Sequence, residues 1–131
     1  MPRKRILVKA KKKPIKLTEK EKEDLMNTLK LEIEKTSKLK KDISRIHIRA
    51  GRIYFYSERE LKGDGPYING LKKGDFVEDM YGRITLFEKD YSNCTLDWQR
   101  HNDQWIVISK GKLENCIKEA EEHDFFHVIG N

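Results

Sequence analysis

Apolar residues recur at helical spacing from Thr18 to about Lys38, where Leu25, Met26, Leu29 and Ile33 form one stripe. Thr18 stands three residues before Glu21, the spacing of a capping box, and Glu19, Glu23 and Asp24 suit the positive end of a helix. Lys35, Lys38, Lys40 and Lys41 crowd the other end, where cations are favoured. The period then changes from 3.6 to 2. Ile46 and Ile48 alternate with His47 and Arg49, Ala50-Gly51 marks a turn, and Ile53 and Phe55 alternate with Tyr54 and Tyr56. This pattern predicts a hairpin with one apolar face. The segment 58–74, rich in glycine, reads as a long loop, of the kind that is often functional or mobile in small domains. Phe76-Val77 predicts a short strand, and Arg83 to Lys89 a firmer one.

Thr95 to Ser109 (TLDWQRHNDQWIVIS) reads as a second hairpin, turning at His101-Asn102-Asp103. Two registers are open. A two-residue turn groups Leu96, Trp98, Trp105 and Val107, whereas a three-residue turn groups Leu96, Trp98, Ile106 and Ile108. The first is favoured because it buries both indoles together. The second strand is apolar on both faces, which predicts cover on both sides of the sheet there. Leu113 to Glu122 predicts a helix with Leu113, Cys116, Ile117 and Ala120 inward, closed by His123-Asp124. Phe125, Phe126, Val128 and Ile129 form an apolar tail expected to pack back on the sheet. No internal repeat is present. The expected fold class is α+β: an antiparallel sheet of about five strands with an N-terminal and a C-terminal helix, preceded by a disordered basic arm.

The C-terminal segment also resembles a small bacterial domain family with no assigned function. That family pairs an aromatic-x-Arg strand with a second Trp strand, then a helix and a Phe-Phe-x-x-x-Gly end. The matching positions are Trp98, Arg100, Trp105, Leu113, Phe125, Phe126 and Gly130, and the order of elements is similar from about Asp24 onward. The resemblance implies a fold and transfers no site.

Composition fits one small domain. Of 131 residues, 37% are hydrophobic and 38% charged, which leaves a modest core. No apolar run is long enough for a membrane span, and Ile6-Leu7-Val8 is too short for a signal-peptide core. Cys94 and Cys116 make no disulfide framework, so they are read as reduced thiols and the chain as cytoplasmic.

Charge changes the picture most. The net charge is +6, yet residues 1–16 hold eight Lys or Arg and no acid, leaving 20 basic against 22 acidic residues elsewhere. The basicity belongs to an arm over 1–16, and the domain over 17–131 is about neutral. The arm has no amphipathic period, and Pro14 blocks a helix through its end, so disorder in the free state is expected. Cations on such a segment suit a polyanion, because each phosphate neutralised releases counterions. The expected nucleic-acid contacts are Arg3, Lys4, Arg5, Lys9, Lys11, Lys12, Lys13 and Lys16, joined by Arg45 and Arg49 on the first hairpin. Tyr54, Tyr56 and His47 interleave with these arginines and could stack on unpaired bases, although cross-strand Tyr–Arg pairs are common on half-exposed sheets. A solubilising tail is the plainer reading of the arm. It has no apolar helical face for a membrane surface.

Other chemistry is thinner. Cys116 and His123, seven apart on one helix face, with His127 and Cys94, are a conceivable zinc set, but close-spaced cysteine pairs are missing. Ser57 and Ser109 lack a nucleophile elbow, Glu88-Lys89-Asp90 lacks the carboxylate-x-Lys arrangement of a metal-dependent nuclease, and His123, Asp124 and His127 form at most a proton-transfer cluster. Gly63 to Gly70 (GDGPYING) has no following Lys-Ser/Thr for phosphate cradling. The expectation is therefore a non-enzymatic, cofactor-free accessory or regulatory protein that binds DNA or RNA through its arm. A protein-interaction module or inhibitor comes next, and a small metal-dependent hydrolase after it.

Overall fold

The computed structural model describes residues 13–99 and 104–122. Helix α1 (Glu19–Glu34) starts as its sequence dictates: Thr18 accepts from the Glu21 N–H at 3.1 Å, and Glu21 accepts from the Thr18 N–H at 2.9 Å. It is followed by a short α2 (Leu39–Asp42) and five strands: β1 (Arg45–Arg49), β2 (Arg52–Glu60), β3 (Phe76–Leu86), β4 (Cys94–Gln99) and β5 (Trp105–Gly111). Helix α3 (Leu113–Glu122) closes the described chain. The strands form one antiparallel sheet in the order β1-β2-β3-β4-β5, so the fold is α+β as the patterning predicts.

All three helices press on the same side of the sheet. Leu25, Leu29 and Ile33 of α1, Leu39 of α2, and Leu113, Cys116, Ile117 and Ala120 of α3 pack against Ile48, Ile53, Phe55, Ile84, Leu86, Cys94 and Leu96. Burying each large side chain stabilises the fold by roughly 1.5–3 kcal/mol.

The first helix stops four residues short of the expected end near Lys38. The cause lies far along the chain. Glu121 on α3 accepts from the backbone N–H groups of Ser37, Lys38 and Leu39 at 2.9–3.1 Å, and from the Ser37 hydroxyl at 2.9 Å. Those N–H groups would otherwise have bonded carbonyls four residues back and continued the helix. Thr36 assists, its hydroxyl bonding the Ile33 carbonyl at 2.6 Å. The lysines expected to complement the end of α1 instead lie beyond it or on α2.

The β1–β2 turn is Ala50-Gly51, with φ of 52° and 72°, the two positive values of a type I′ hairpin. Gly51 has a second reason to be glycine. The N-terminal segment crosses there, and a Cβ would collide with the Ile15 carbonyl and the Pro14 ring. Ile15 donates its N–H to the Leu86 carbonyl at 3.0 Å and packs on the core. Pro14 and Ile15, expected within the arm, are thus in contact with the fold. Residues 1–12 of that arm lie outside the described residues.

Strands β2 and β3 pair to Glu60 and Phe76, so the expected loop at 58–74 shortens to 61–75, and the two strands expected near 76 and 83 are one. A bulge at Tyr81, where Phe55 faces Gly82 and Tyr56 faces Met80, keeps the ladder going. In the second hairpin Trp98 faces Ile106 and Gln99 faces Trp105, which overturns the favoured register. Trp98 packs on the core with Ile108, while Trp105 lies on the opposite face. A bulge at Ile108 shifts the β5 register, so that Ser109 pairs with Leu96 and Val107 with Asp97. The outward side of β5 is open at Val107, which is 51% exposed, contrary to the cover expected there. The tail at 123–131 lies outside the described residues.

Burial alone would raise the Glu121 pKa, but the N–H groups of Lys38 and Leu39, with Ser37, hold it down at about 2. A carboxyl depressed in the folded state stabilises the fold above its unfolded pKa and loses that contribution as pH falls. Glu121→Ala is expected to cost about 1–2 kcal/mol in urea unfolding at neutral pH, as loss of a helix cap does. The difference from the parent should shrink as pH drops from about 4.5 toward 2. A pH-independent difference would show that the carboxylate charge has no part in it.

Candidate functional site

The described helices all lie on one face of the sheet, and strand alternation decides what stands on the other. Cross-strand partners share a face, so the register reads in rows. One row runs His47, Tyr54, Arg83, Asp97, Val107. A second, toward the Ala50-Gly51 turn, runs Arg49, Arg52, Thr85, Thr95, Lys110. Arg45 and Tyr56 flank the first row on its other side.

The centre is polar and packed. Asp97, 2% exposed, accepts from Arg83 Nε at 2.8 Å and from the Thr85 hydroxyl at 2.7 Å, both through Oδ2. The Arg83 guanidinium lies 3.9 Å from the Trp105 ring centroid, and Tyr54 meets Trp105 edge-on at 6.4 Å. Trp105 thus roofs a buried ion pair. Asp97 Oδ1 and Arg52 Nε are buried without hydrogen-bond partners.

The aromatic rings expected to be free for base stacking are covered by this chain's own cations. Tyr54 is 7% exposed, with Arg49 5.4 Å above its ring, and Arg45 lies 4.1 Å over Tyr56. Arg45 is further tied to Glu78 by two hydrogen bonds of 3.0 and 2.8 Å, which raise its pKa and lower that of Glu78. Arg49 and His47 are exposed on the same face, and Lys13 and Lys16 are exposed beside the turn where Pro14 and Ile15 dock. The structure therefore brings Arg45 and Arg49 to one face. Arg3, Lys4, Arg5, Lys9, Lys11 and Lys12 lie outside the described residues.

The other candidates resolve into structural roles or fall outside view. Cys94 and Cys116 are fully buried in the core, and burial pushes their thiols up to about 11 and about 12. Among the described residues no three or more His, Cys, Asp or Glu gather as metal ligands; His123, Asp124 and His127 lie outside them. Lys89 bonds Glu21 at 2.7 Å and Asp90 bonds the Ser92 hydroxyl at 2.6 Å, so the Glu88-Lys89-Asp90 segment secures the start of α1 and a turn. Ser57 is buried and Ser109 half-buried. The glycine-rich loop is held by Tyr67 donating to the Gly63 carbonyl at 2.5 Å, and it leads into β3, where no helix N-terminus is available. No described helix is long and apolar enough to cross a membrane.

Sequence reasoning missed Arg52, Arg83, Asp97 and Lys110. Parity held the signal for the middle pair: with Ile84 and Leu96 inward, Arg83 and Asp97 must face outward together. No family model, curated protein or solved structure matches this chain, so the resemblance of the C-terminal segment rests on its quoted residues alone.

Two outcomes follow. Arg83→Leu leaves the Asp97 carboxylate buried and unpaired, so a loss of about 3–5 kcal/mol is expected, whereas the double variant with Asp97→Leu should recover most of it in a denaturation cycle. Both thiols should resist a thiol-specific disulfide reagent at pH 8 in the native protein and react at once in denaturant.

Proposed function

We propose that this protein binds nucleic acid without catalysis, using its lysine- and arginine-rich N-terminal arm as the main contact. The carrying observation is the confinement of positive charge: eight cations and no acid in residues 1–16, against a near-neutral remainder. A polycation gains affinity by counterion release and needs no shaped pocket. The position of its root supports the reading, because Pro14 and Ile15 lie at the turn flanked by Arg49 and Arg52.

A protein partner is the second reading. Strand β1 is a sheet edge, and a groove of about 820 Å³ lies between it and α1, with Met26, Ile46 and Ile48 among its walls. An exposed edge can accept an added strand.

Binding to a labelled DNA or RNA oligonucleotide should fall with salt at a log–log slope of roughly −5 to −7 if most arm cations engage phosphates. The comparison protein is the full chain with Arg3, Lys4, Arg5, Lys9, Lys11 and Lys12 changed to Gln, which leaves the docked Pro14 and Ile15 in place. It should lose most of that slope and bind far more weakly. Equal affinity of the two proteins across the salt series would end the proposal and favour the protein-partner reading.

A further inference from the structure

We infer that the cross-sheet row formed by Arg49, Arg52 and Lys110 is a second, folded contact for the phosphate backbone of the nucleic acid that the arm engages. This inference rests on the nucleic-acid reading of the arm and adds a site on the fold.

The first observation is a contrast among the arginines of the sheet. Arg45 is paired with Glu78, Arg59 with Asp79 and Arg83 with Asp97, at 2.6–2.8 Å. Arg49 and Arg52 have no carboxylate partner among the described residues, although they are direct cross-strand neighbours. Like charges opposite one another in a sheet destabilise it. Three arginines were supplied with acids and these two were left facing each other, an arrangement that an external anion relieves.

The second observation is an unmade bond. Arg52 is half-buried, and among the described residues its Nε donates to nothing. A donor without an acceptor is costly, so a shift of this half-buried side chain toward an arriving phosphate is favoured.

Shape decides between a single phosphate and a polymer. Arg52 stands on β2 and Lys110 on β5, three strand spacings or about 14 Å apart. Cations spread along a line of that length match successive phosphates of a chain better than one phosphate. Between them the row carries Thr85 and Thr95, both almost fully buried, and no acid. A sugar–phosphate chain can run above them, held by the cations at both ends. The neighbouring aromatic rings are capped by arginines, so the contact is to phosphate and carries no preference for base. The arm reaches the fold at Gly51, between Arg49 and Arg52, so a strand held by the arm is delivered to one end of the row.

The test uses the full chain and a labelled oligothymidylate, with a mixed-sequence duplex as second probe. Changing Arg49, Arg52 and Lys110 together to Gln should weaken binding at least tenfold to both probes and reduce the salt slope by about 2–3, since each lost phosphate contact removes about 0.7–0.9. Melting should be unchanged or slightly raised, because a like-charge pair has been removed. Lys110→Gln alone, at an exposed position far from the turn, should reduce the slope by about 0.7–0.9 and guards against a folding defect. Wild-type affinity and slope in both variants would overturn the row while leaving the arm reading intact. Loss of binding only when the arm is neutralised would do the same. Tighter binding of heparin than of either probe at equal salt would overturn the assignment to nucleic acid.

Discussion

Among the described residues the helices cover one side of the sheet, and the arrangement of the strands follows from that. Three helical elements share a single apolar surface, so each strand must sort its side chains by parity, and any residue out of step lands on the wrong face. The uncovered face then has to hold its polar groups without the help of a second layer. It does so by pairing them laterally: Arg83 with Asp97 under Trp105, Arg45 with Glu78 over Tyr56. Trp105 supplies the roof that helices supply on the other side. The result is a buried ion pair in a layer that is nominally exposed.

Two bulges make this sorting possible. The extra residue at Tyr81 shifts the β2–β3 register between Phe55 and Tyr56, and the ladder still pairs as far as Glu60 and Phe76. The extra residue at Ile108 lets β5 present Ser109 to Leu96 and Val107 to Asp97 in consecutive pairs. Bulges of this kind correct parity locally, and the charges they leave outward become the chemistry of the face.

Much of the architecture was legible because it is local. The capping box at Thr18 and Glu21, the Ala50-Gly51 turn and the inward stripe of α3 each depend on residues within a few positions of one another. What was not legible is long-range. The end of α1 is set by Glu121, more than 80 residues away, and no helix-stop signal near Lys35 announces it. The register of the tryptophan hairpin hung on turn length, and the argument that both indoles belong together failed because Trp105 had a better partner in Arg83. On the candidate face, Arg45 and Arg49 could be picked from an alternating strand, whereas Arg52 and Lys110 join them only through a five-strand register.

The Glu121 carboxylate joins the last described helix to the junction after the first, and both pack on the same core. The two ends of the described chain are therefore a single cooperative unit. An opening that detaches α3 also frees the three N–H groups that define the start of α2, exposing that junction to exchange and to proteases at the same free energy. Stability is thus coupled by contact and not by sequence order, with the last described helix and the junction after the first opening together.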